Sequence, residues 1–274
     1  MTPSFLPARV AAFRQLHTAG CFVMPNPWDA GSARALAQIG FPAVATTSAG
    51  FAWSRGTHDN QVGLEAMLAH LRDIAAAVEV PVNADFEGGF AVAPAQVAEH
   101  VLLATATGVA GLSIEDSTGA AAAPLFDRAL ALARIRAARA AIDQSGTGVL
   151  LTARSEGFIV GRPDLDETTA RLRAYAEAGA DCVYAPGIRT AAEVAAIVEA
   201  VAPTPVNLLV SGDYFTVATA TALGVRRISV GGALARAAWT GFLQAAREIT
   251  EQGTFATLAA AVPSSEINAR FPRG

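Results

Sequence analysis

The feature that most constrains this 274-residue sequence is a repeated alternation of short apolar runs with longer helix-like runs. The apolar runs predict eight buried strands, at residues 22–24, 43–46, 82–85, 112–114, 149–153, 182–185, 206–210 and 228–230. Runs rich in Ala, Leu, Arg and Glu predict the helices, at residues 30–39, 64–78, 94–107, 126–142, 166–178, 191–201, 214–223 and 233–249. Neighbouring parallel strands need a crossover that a helix supplies, so this order predicts an α/β fold, and eight repeats predict a (β/α)8 TIM-type barrel.

Glycines at the ends of the predicted helices support this count. Gly40, Gly108, Gly179 and Gly224 each follow a helical run, where a left-handed cap favours glycine. A doubly wound open sheet would carry a glycine-rich phosphate loop after its first strand, and residues 26–31 (Asn-Pro-Trp-Asp-Ala-Gly) are not one. We expect a single domain over residues 1–274, with a short N-terminal helix at 8–16 and a C-terminal helical tail at 255–274.

Composition excludes several functional classes. The net charge is -4, and the one basic cluster, residues 134–139, is predicted to be an exposed helix face, so nothing indicates nucleic acid or anionic lipid as a partner. The sequence contains no lysine, which excludes Schiff-base catalysis. Its two cysteines do not indicate a disulfide framework. No apolar stretch reaches the roughly 20 residues that span a bilayer, and no signal peptide is evident, so we expect a cytoplasmic protein without a membrane partner.

Polar residues follow the predicted strands, at the edge where a barrel of this kind carries its active site. In the stretch 81–89 (Pro-Val-Asn-Ala-Asp-Phe-Glu-Gly-Gly) two acids and two glycines end the third strand, a pattern that by itself is equally typical of a charged turn. The polar or glycine-rich strand ends are Asn26 and Asp29; Thr47, Ser48, Ala49, Gly50 and Asp59; Asp85 and Glu87; Glu115 and Asp116; Arg154 and Glu156; Tyr184; Asn207 and Ser211; and Gly231 and Gly232.

Four of the acids are candidate metal ligands: Asp59, Asp85, Glu87 and Glu115. A cluster of oxygen ligands suits Mg²⁺, or Mn²⁺, better than Zn²⁺. Arg154 can bind both oxygens of a substrate carboxylate through its planar guanidinium, and the turn at 47–50 offers backbone N–H groups to an anion. Together these groups predict a site for a small, oxygen-rich dianion.

Each of these residues also has a structural interpretation. Asp59 could cap a helix that begins near Asn60, Glu115 or Asp116 could be loop charges, and Arg154 could pair with Glu156 or Asp116. Of the histidines, only His58 lies beside a proposed site residue. No serine sits in a Gly-x-Ser-x-Gly elbow, which argues against a triad hydrolase.

Six motifs, in this order, resemble the isocitrate lyase and phosphoenolpyruvate mutase superfamily. They are Thr-Ser-Ala-Gly at 47–50, Gly-x-x-Asp at 56–59, Asp-x-Glu-Gly-Gly-Phe at 85–90, Gly-Leu-Ser-Ile-Glu-Asp at 111–116, Thr-Ala-Arg-Ser-Glu at 152–156 and Ala-x-Ala-Gly-Ala-Asp at 176–181. The resemblance implies a (β/α)8 barrel whose last helix is often exchanged between subunits of a dimer or tetramer. It implies Mg²⁺ on Asp85, with Asp59, Glu87 and Glu115 holding its waters. It also implies that a substrate carboxylate meets Thr47, Ser48, Ala49, Arg154 and Asn207.

The chemistry that this superfamily shares is an enolate of a 2-oxo acid. The sequence departs from the isocitrate lyase branch at residues 117–125 (Ser-Thr-Gly-Ala-Ala-Ala-Ala-Pro-Leu), where that branch carries a catalytic cysteine loop. We therefore expect a Mg²⁺-dependent carbon–carbon lyase or decarboxylase acting on a short 2-oxo or 2-hydroxy dicarboxylate, with Asp59, Glu115 and Arg154 as candidate catalytic residues, in a homo-oligomer. Two alternatives stay open: a phosphonopyruvate hydrolase or phosphoenolpyruvate mutase-like enzyme, and a non-catalytic 2-oxo acid binding protein.

Overall fold

The computed structural model describes residues 5–271, so residues 1–4 and 272–274 of the expected domain lie outside the described part. Eight parallel strands form one sheet in the order β1-β8-β7-β6-β5-β4-β3-β2. They are β1 (Phe22–Met24), β2 (Val44–Ala45), β3 (Val82–Asp85), β4 (Gly111–Glu115), β5 (Leu150–Arg154), β6 (Cys182–Tyr184), β7 (Val206–Leu209) and β8 (Arg227–Ser229). At the seam between β1 and β2, the Ala45 amide donates to the Pro25 carbonyl at 3.0 Å. The predicted (β/α)8 barrel is confirmed.

Helices alternate with the strands around the outside. They are α1 (Leu6–Leu16), α2 (Ala30–Ile39), α3 (Ser48–Ser54), α4 (Leu64–Ala77), α5 (Pro94–Thr105), α6 (Arg128–Ser145), α7 (Leu165–Glu177), α8 (Ala191–Val201), α9 (Val217–Ala222), α10 (Ala233–Gln252), α11 (Ala256–Ala259) and α12 (Ser264–Ala269). The short helix α3 was not predicted. It begins at the proposed anion-binding turn because the Thr47 hydroxyl caps it by accepting from the Gly50 amide.

Two strands extend one residue further at their carboxyl ends than the sequence indicated. The prediction ended the fourth strand at residue 114 and the fifth at 153, whereas β4 ends with Glu115 and β5 ends with Arg154. The two residues are paired in the parallel register of β4 and β5. The ladder therefore fixes the backbone of both site residues, which a loop would leave less constrained.

The barrel interior contains several buried polar side chains. Apolar side chains fill the layer between strands and helices, but Asn83, Thr152, Asn207 and Arg227 on the strands are also buried. Helix α1 covers the amino-terminal end of the barrel with Phe13, and a Cβ added at Gly111 would lie 2.6 Å from that ring. Glycine at position 111 is what lets the ring enter the barrel.

The basic cluster of α6 is exposed only in part. Arg136 is exposed as the sequence indicated and Arg139 is half-buried, but Arg134 is only 1% exposed. Its guanidinium donates to the carbonyls of Glu115, Gly88 and Ala91 and lies 4.0 Å from the Phe126 ring. A charged side chain can be buried when most of its donors are satisfied in this way, and only Nε of this guanidinium lacks a partner among the described residues. Arg134 thereby ties the backbone after β3 to the end of β4.

Helix α10 is much more exposed than the other long helices of the barrel. Only Ala235 and Ala245 of its 20 residues are buried. Large apolar side chains on α10 and the two helices after it are exposed: Leu234, Trp239, Phe242, Leu243, Ile249, Leu258 and Ile267. No helix within residues 5–271 combines the length and apolar character needed to cross a bilayer.

Candidate active site

A cavity of about 280 Å³ opens at the carboxyl ends of the strands. Its wall contains residues from the loops after β1 and β2 and from the ends of β3 through β8. Most of the predicted site residues line it: Thr47, Ser48, Ala49, Asp59, Asp85, Glu115, Arg154 and Asn207. Glu87 instead lines an adjoining pocket that it shares with Glu115.

Arg154 is the centre of an ion-pair network. Its Nη1 lies 2.7 Å from Asp85 Oδ1, its Nη2 lies 3.2 Å from Glu115 Oε2, and its Nε lies 2.9 Å from Glu156 Oε1. The three surrounding carboxylates raise the pKa of this guanidinium well above its usual value, although burial opposes them. Of the pairings that the sequence left open, the one with Glu156 is present. Arg154 therefore has a fixed orientation before any ligand enters.

Asp85 is held from two sides by the residues around α3. Its Oδ2 accepts from the Ser48 amide at 3.0 Å, and its own amide donates to the Thr46 hydroxyl at 2.8 Å. Gly50 lets the start of α3 pack closely against Trp28, because a Cβ there would lie 2.7 Å from Thr47 Cγ2 and 2.9 Å from Trp28 Cβ. One amide of the predicted anion-binding turn thus holds a carboxylate of the protein itself.

Glu87 occupies a strained and electrostatically unfavourable position. Its backbone φ is 46°, a left-handed conformation that non-glycine residues rarely adopt, and its carbonyl accepts from the Glu115 amide. Its Oε1 is buried without a partner among the described residues. Burial, and then the charges of Asp85 and Asp59, raise the pKa of Glu87 to about 8. A buried carboxyl without a donor calls for a compensating group.

The other acids show the same excess of negative charge. Burial and the charge of Asp85 raise the pKa of Asp59, and burial raises the pKa values of Glu115 and Glu156 against the opposing charge of Arg154. Five carboxyl groups therefore gather at this end of the barrel, three of them in contact with Arg154, and all their donor atoms are hard oxygens. Such a set fits a divalent cation of the Mg²⁺ type. Within residues 5–271, no three acidic, histidine or cysteine side chains are arranged around one point as direct metal ligands.

Two of the structural interpretations can now be decided. Asp59 does not cap a helix: it accepts from the Asn60 amide in a turn, and α4 begins only at Leu64 after Gly63. Asp116 is not an exposed loop charge. It is buried, and its carboxylate accepts hydrogen bonds from the Glu156 amide, Arg171 and the Tyr175 hydroxyl. It positions the loop after β5 and lies apart from the ion pairs of Arg154.

Asn207 was predicted to contact substrate, and its amide is engaged inside the barrel. Its Nδ2 donates to the Ser229 hydroxyl at 2.9 Å, and its Oδ1 accepts from Arg227 Nε at 2.8 Å. Sequence reasoning placed Asn26 at the end of the first strand but missed Arg227 and Ser229 as members of this region. Asn26 joins the seam of the barrel by donating to the Thr46 carbonyl and accepting from the Val230 and Gly231 amides.

The segment 117–125 forms a small hairpin beside the cavity. Ser117 and Leu125 form an antiparallel bridge, and the Thr118 amide donates to the Pro124 carbonyl at 2.9 Å. Cys182 lies in β6, fully buried, and burial raises the pKa of its thiol. A buried thiol with a raised pKa is a poor source of thiolate.

Comparisons with known proteins agree with this architecture. The family model for phosphoenolpyruvate phosphomutase matches residues 13–250. An uncharacterized protein of Mycobacterium tuberculosis is 34% identical over 263 residues, which cover 95% of this chain and 96% of the relative. A crystal structure provisionally described as a lyase or mutase from Burkholderia cenocepacia J2315 is 50% identical, covers 97% of this chain and 96% of its own, and has a TM-score of 0.94.

Two further solved structures contain a bound ligand. Oxaloacetate acetylhydrolase in complex with its product oxalate is 27% identical, covers 97% of this chain and 94% of its own, and has a TM-score of 0.85. Phosphonopyruvate hydrolase in complex with oxalate and Mg²⁺ is 26% identical, covers 98% of this chain and 95% of its own, and has a TM-score of 0.85.

Proposed function

The chain belongs to the phosphoenolpyruvate phosphomutase family, within the isocitrate lyase and phosphoenolpyruvate mutase superfamily, and we propose that it is a Mg²⁺-dependent carbon–carbon lyase or decarboxylase. Its substrate is a short 2-oxo or 2-hydroxy dicarboxylate, and the reaction passes through an enolate. The observation that carries this proposal is the cluster of acids around Arg154 at the mouth of the barrel. That cluster combines an excess of hard oxygen ligands with one carboxylate-binding side chain.

In this proposal Asp85 binds the metal directly, and Asp59, Glu87 and Glu115 hold its waters. Three observations support the assignment: the donor atoms are all oxygens, several carboxyls have raised pKa values, and Glu87 Oε1 is buried without a partner among the described residues. When bound, a divalent cation supplies fixed positive charge to the oxygens of a developing enolate. The phosphonopyruvate hydrolase neighbour, which binds oxalate and Mg²⁺, supports the same ion here.

The side chains of the protein itself orient the substrate. Arg154 binds a carboxylate of the 2-oxo acid through its planar fork, and Glu156 and Glu115 keep that fork in place. Thr47, Ser48 and Ala49 line the same cavity at the start of α3. The Ser48 amide holds Asp85, so the carboxylate of Asp85 is fixed relative to Arg154. Such preorganisation lowers the cost of positioning a reactant.

Proton transfer has to use groups outside segment 117–125. That segment contains only the hydroxyls of Ser117 and Thr118 as exchangeable side-chain groups, with no acid, base or thiol. Asp59, Glu115 and Arg154 lie around the cavity and are the candidates that we retain for charge stabilisation and proton handling. Cys182 is unsuitable because its thiol is buried in the barrel wall.

A second candidate is cleavage or transfer of a phosphorus–carbon bond, as in the phosphonopyruvate hydrolase neighbour. In that case Asp59, which faces the cavity beside Ser48, handles the phosphonyl group. A third is binding of a 2-oxo acid without turnover. Phosphate release marks the second, and tight Mg²⁺-dependent binding without any product marks the third.

We also infer that the chain forms a homo-oligomer through α10 and the helices after it. Phe242 is 60% exposed and Trp239 is 40% exposed, and their rings lie 5.4 Å apart. Exposed apolar patches of this kind mark interaction surfaces. A second copy of the chain that covers this face, by exchange of α10 or by simple packing, would bury it.

The direct test of the metal and ligand assignment is oxalate binding, measured by calorimetry with and without Mg²⁺. We expect oxalate to bind only when Mg²⁺ is present. Metal-independent binding, or none in either condition, would contradict the assignment. Asp85→Asn is the matched control, because it removes one charge at nearly constant shape.

A further inference from the structure

Arg227 is a buried cation for which the proposed reaction has so far given no role. It is 2% exposed and lies at the start of β8, inside the barrel. Its Nε donates to Asn207 Oδ1 at 2.8 Å, its Nη2 donates to Thr152 Oγ1 at 3.0 Å, and its Nη1 lies 3.4 Å from His17 Nε2. All three partners are neutral near pH 7. Asn207 and Thr152 carry no charge, and burial lowers the pKa of His17 to about 4. Within residues 5–271 this guanidinium forms no ion pair with a carboxylate.

A buried charge without a counter-ion is costly, so one is expected. Arg154 has three carboxylate partners, whereas Arg227 has none in the described part of the chain. Both arginines line the same cavity. A negatively charged group that enters the cavity therefore meets two positive charges. Arg154, at the mouth, is paired with carboxylates, and Arg227, at the floor, is not.

The two arginines are separated by about one layer of side chains. Arg227 donates to Thr152, and Thr152 precedes Arg154 by two residues on β5. Residues two apart on a strand face the same side and lie roughly 7 Å apart along it. Neutral side chains line the intervening space, namely Asn83, Ser113, Asn207 and Ser229.

We propose that Arg227 binds the second carboxylate of the substrate at the floor of the barrel. This rests on the proposed function, because it assumes that the first carboxylate and the 2-oxo group lie at the Asp85 and Arg154 end. Arg227 then selects 2-oxo dicarboxylates over 2-oxo monocarboxylates. Asn207 and Thr152 are positioning residues that hold the guanidinium beneath the cavity.

The test compares two ligands in the presence of Mg²⁺: pyruvate, with one carboxylate, and 2-oxoglutarate, with two. The measured quantity is the ratio of their dissociation constants in the full chain, determined by calorimetry. Replacing Arg227 by Gln should reduce the preference for 2-oxoglutarate by about tenfold to a hundredfold, the range that one charged hydrogen-bonding contact contributes. An unchanged ratio would overturn the proposal.

Arg226→Gln is the matched control, because Arg226 directly precedes β8, donates to the Gly20 carbonyl and does not line the cavity. It should leave the ratio as in the parent, and a loss equal to that of Arg227→Gln would contradict the proposal. If Arg227→Gln does not fold, Asn207→Asp gives the same information. It places a carboxylate beside Arg227 Nε at nearly constant shape, so the ratio should fall while the folded protein persists. A ratio that stays constant would again count against the floor site.

Failure of this inference can be distinguished from failure of the proposed function. If the proposed metal and carboxylate site at Asp85 and Arg154 is wrong, neither ligand shows Mg²⁺-dependent binding to the parent chain. If only the floor site is wrong, the parent binds both ligands with Mg²⁺ and the ratio does not respond to Arg227. A chloride titration at constant ionic strength tests whether Arg227 instead binds a free inorganic anion. If chloride weakened the binding of pyruvate and 2-oxoglutarate equally, the second carboxylate would not be what Arg227 binds, and the proposal would be overturned.

Discussion

The guanidinium of Arg154 lies 2.7 Å from the carboxylate of Asp85, measured from Nη1 to Oδ1, at the carboxyl ends of β5 and β3. This contact joins the residue proposed to bind a substrate carboxylate to the residue proposed to bind the metal. The other oxygen of Asp85 accepts from the Ser48 amide. A ligand that brings Mg²⁺ and a carboxylate together would therefore meet both groups already aligned.

Replacing Asp85 by Ala or Asn should abolish Mg²⁺-dependent binding of a 2-oxo acid, because the proposed direct ligand is gone. The protein should still fold, since Arg154 retains Glu115 and Glu156 as partners. Calorimetric titration of pyruvate with and without Mg²⁺ measures the effect. Parent-like affinity and parent-like metal dependence in the variant would show that the metal lies elsewhere.

Replacing Arg154 by Lys should weaken carboxylate binding by about tenfold to a hundredfold. The positive charge remains, but a point charge cannot replace a planar fork that contacts Asp85, Glu115 and Glu156 at once. The dissociation constant of oxalate in saturating Mg²⁺ is the readout. Unchanged affinity would assign carboxylate recognition to another group.

Acid should destabilise the fold through His70. Its pKa is lowered from 6.5 to about 4, mainly by burial, and its ring stacks on Phe51 at 3.8 Å. Between those pH values the unfolded chain binds a proton that the folded chain excludes, so the free energy of unfolding falls as the pH drops from 6.5 toward 4. The full contribution is on the order of 3 kcal/mol.

His70→Phe keeps a stacking ring that cannot be protonated, so its stability relative to the parent should increase as the pH falls through this window. Comparing variant with parent is necessary because the raised pKa of Glu87 acts in the opposite direction between about pH 4.5 and 8. Urea unfolding at pH 7 and at pH 5 gives both differences. A variant whose relative stability is the same at both pH values would refute a buried neutral histidine.

Replacing Phe242 by Glu should lower the molar mass in solution, because it places a charge in the exposed apolar face of α10. Ile39→Glu is the control, since Ile39 on α2 is similarly exposed, at 62%, and lies outside that face. Light scattering after size exclusion gives the mass. A parent that is already monomeric, or a Phe242 variant that keeps the parent's mass, would exclude this face as the interface.

The strand ends were predictable because the local signal is strong. Asp85, Glu115 and Arg154 come at the ends of apolar runs, and parallel strands bring their carboxyl ends to one edge. The boundaries were less accurate: β4 and β5 each extend one residue further, because pairing between the strands, which no single segment encodes, decides where a ladder stops.

Features that depend on tertiary packing were not predictable from the chain alone. Arg134 has the spacing of an exposed face, yet it is buried because three backbone carbonyls converge on it. Arg227 precedes the predicted eighth strand, and a charged side chain at an inward position departs from the usual apolar filling of a barrel. Asn26 resembles a loop residue, and only the closed barrel brings β8 close enough for it to join the seam.

The most direct measurement is an assay of the purified chain with isocitrate, methylisocitrate, oxaloacetate and phosphonopyruvate, each with and without Mg²⁺, following release of 2-oxo acid and phosphate. Asp85→Asn serves as the inactive control. We predict turnover of a carbon substrate only with Mg²⁺ and no release of phosphate. Phosphate release, turnover that persists without the metal, or Mg²⁺-dependent binding of a 2-oxo acid without any product would contradict it.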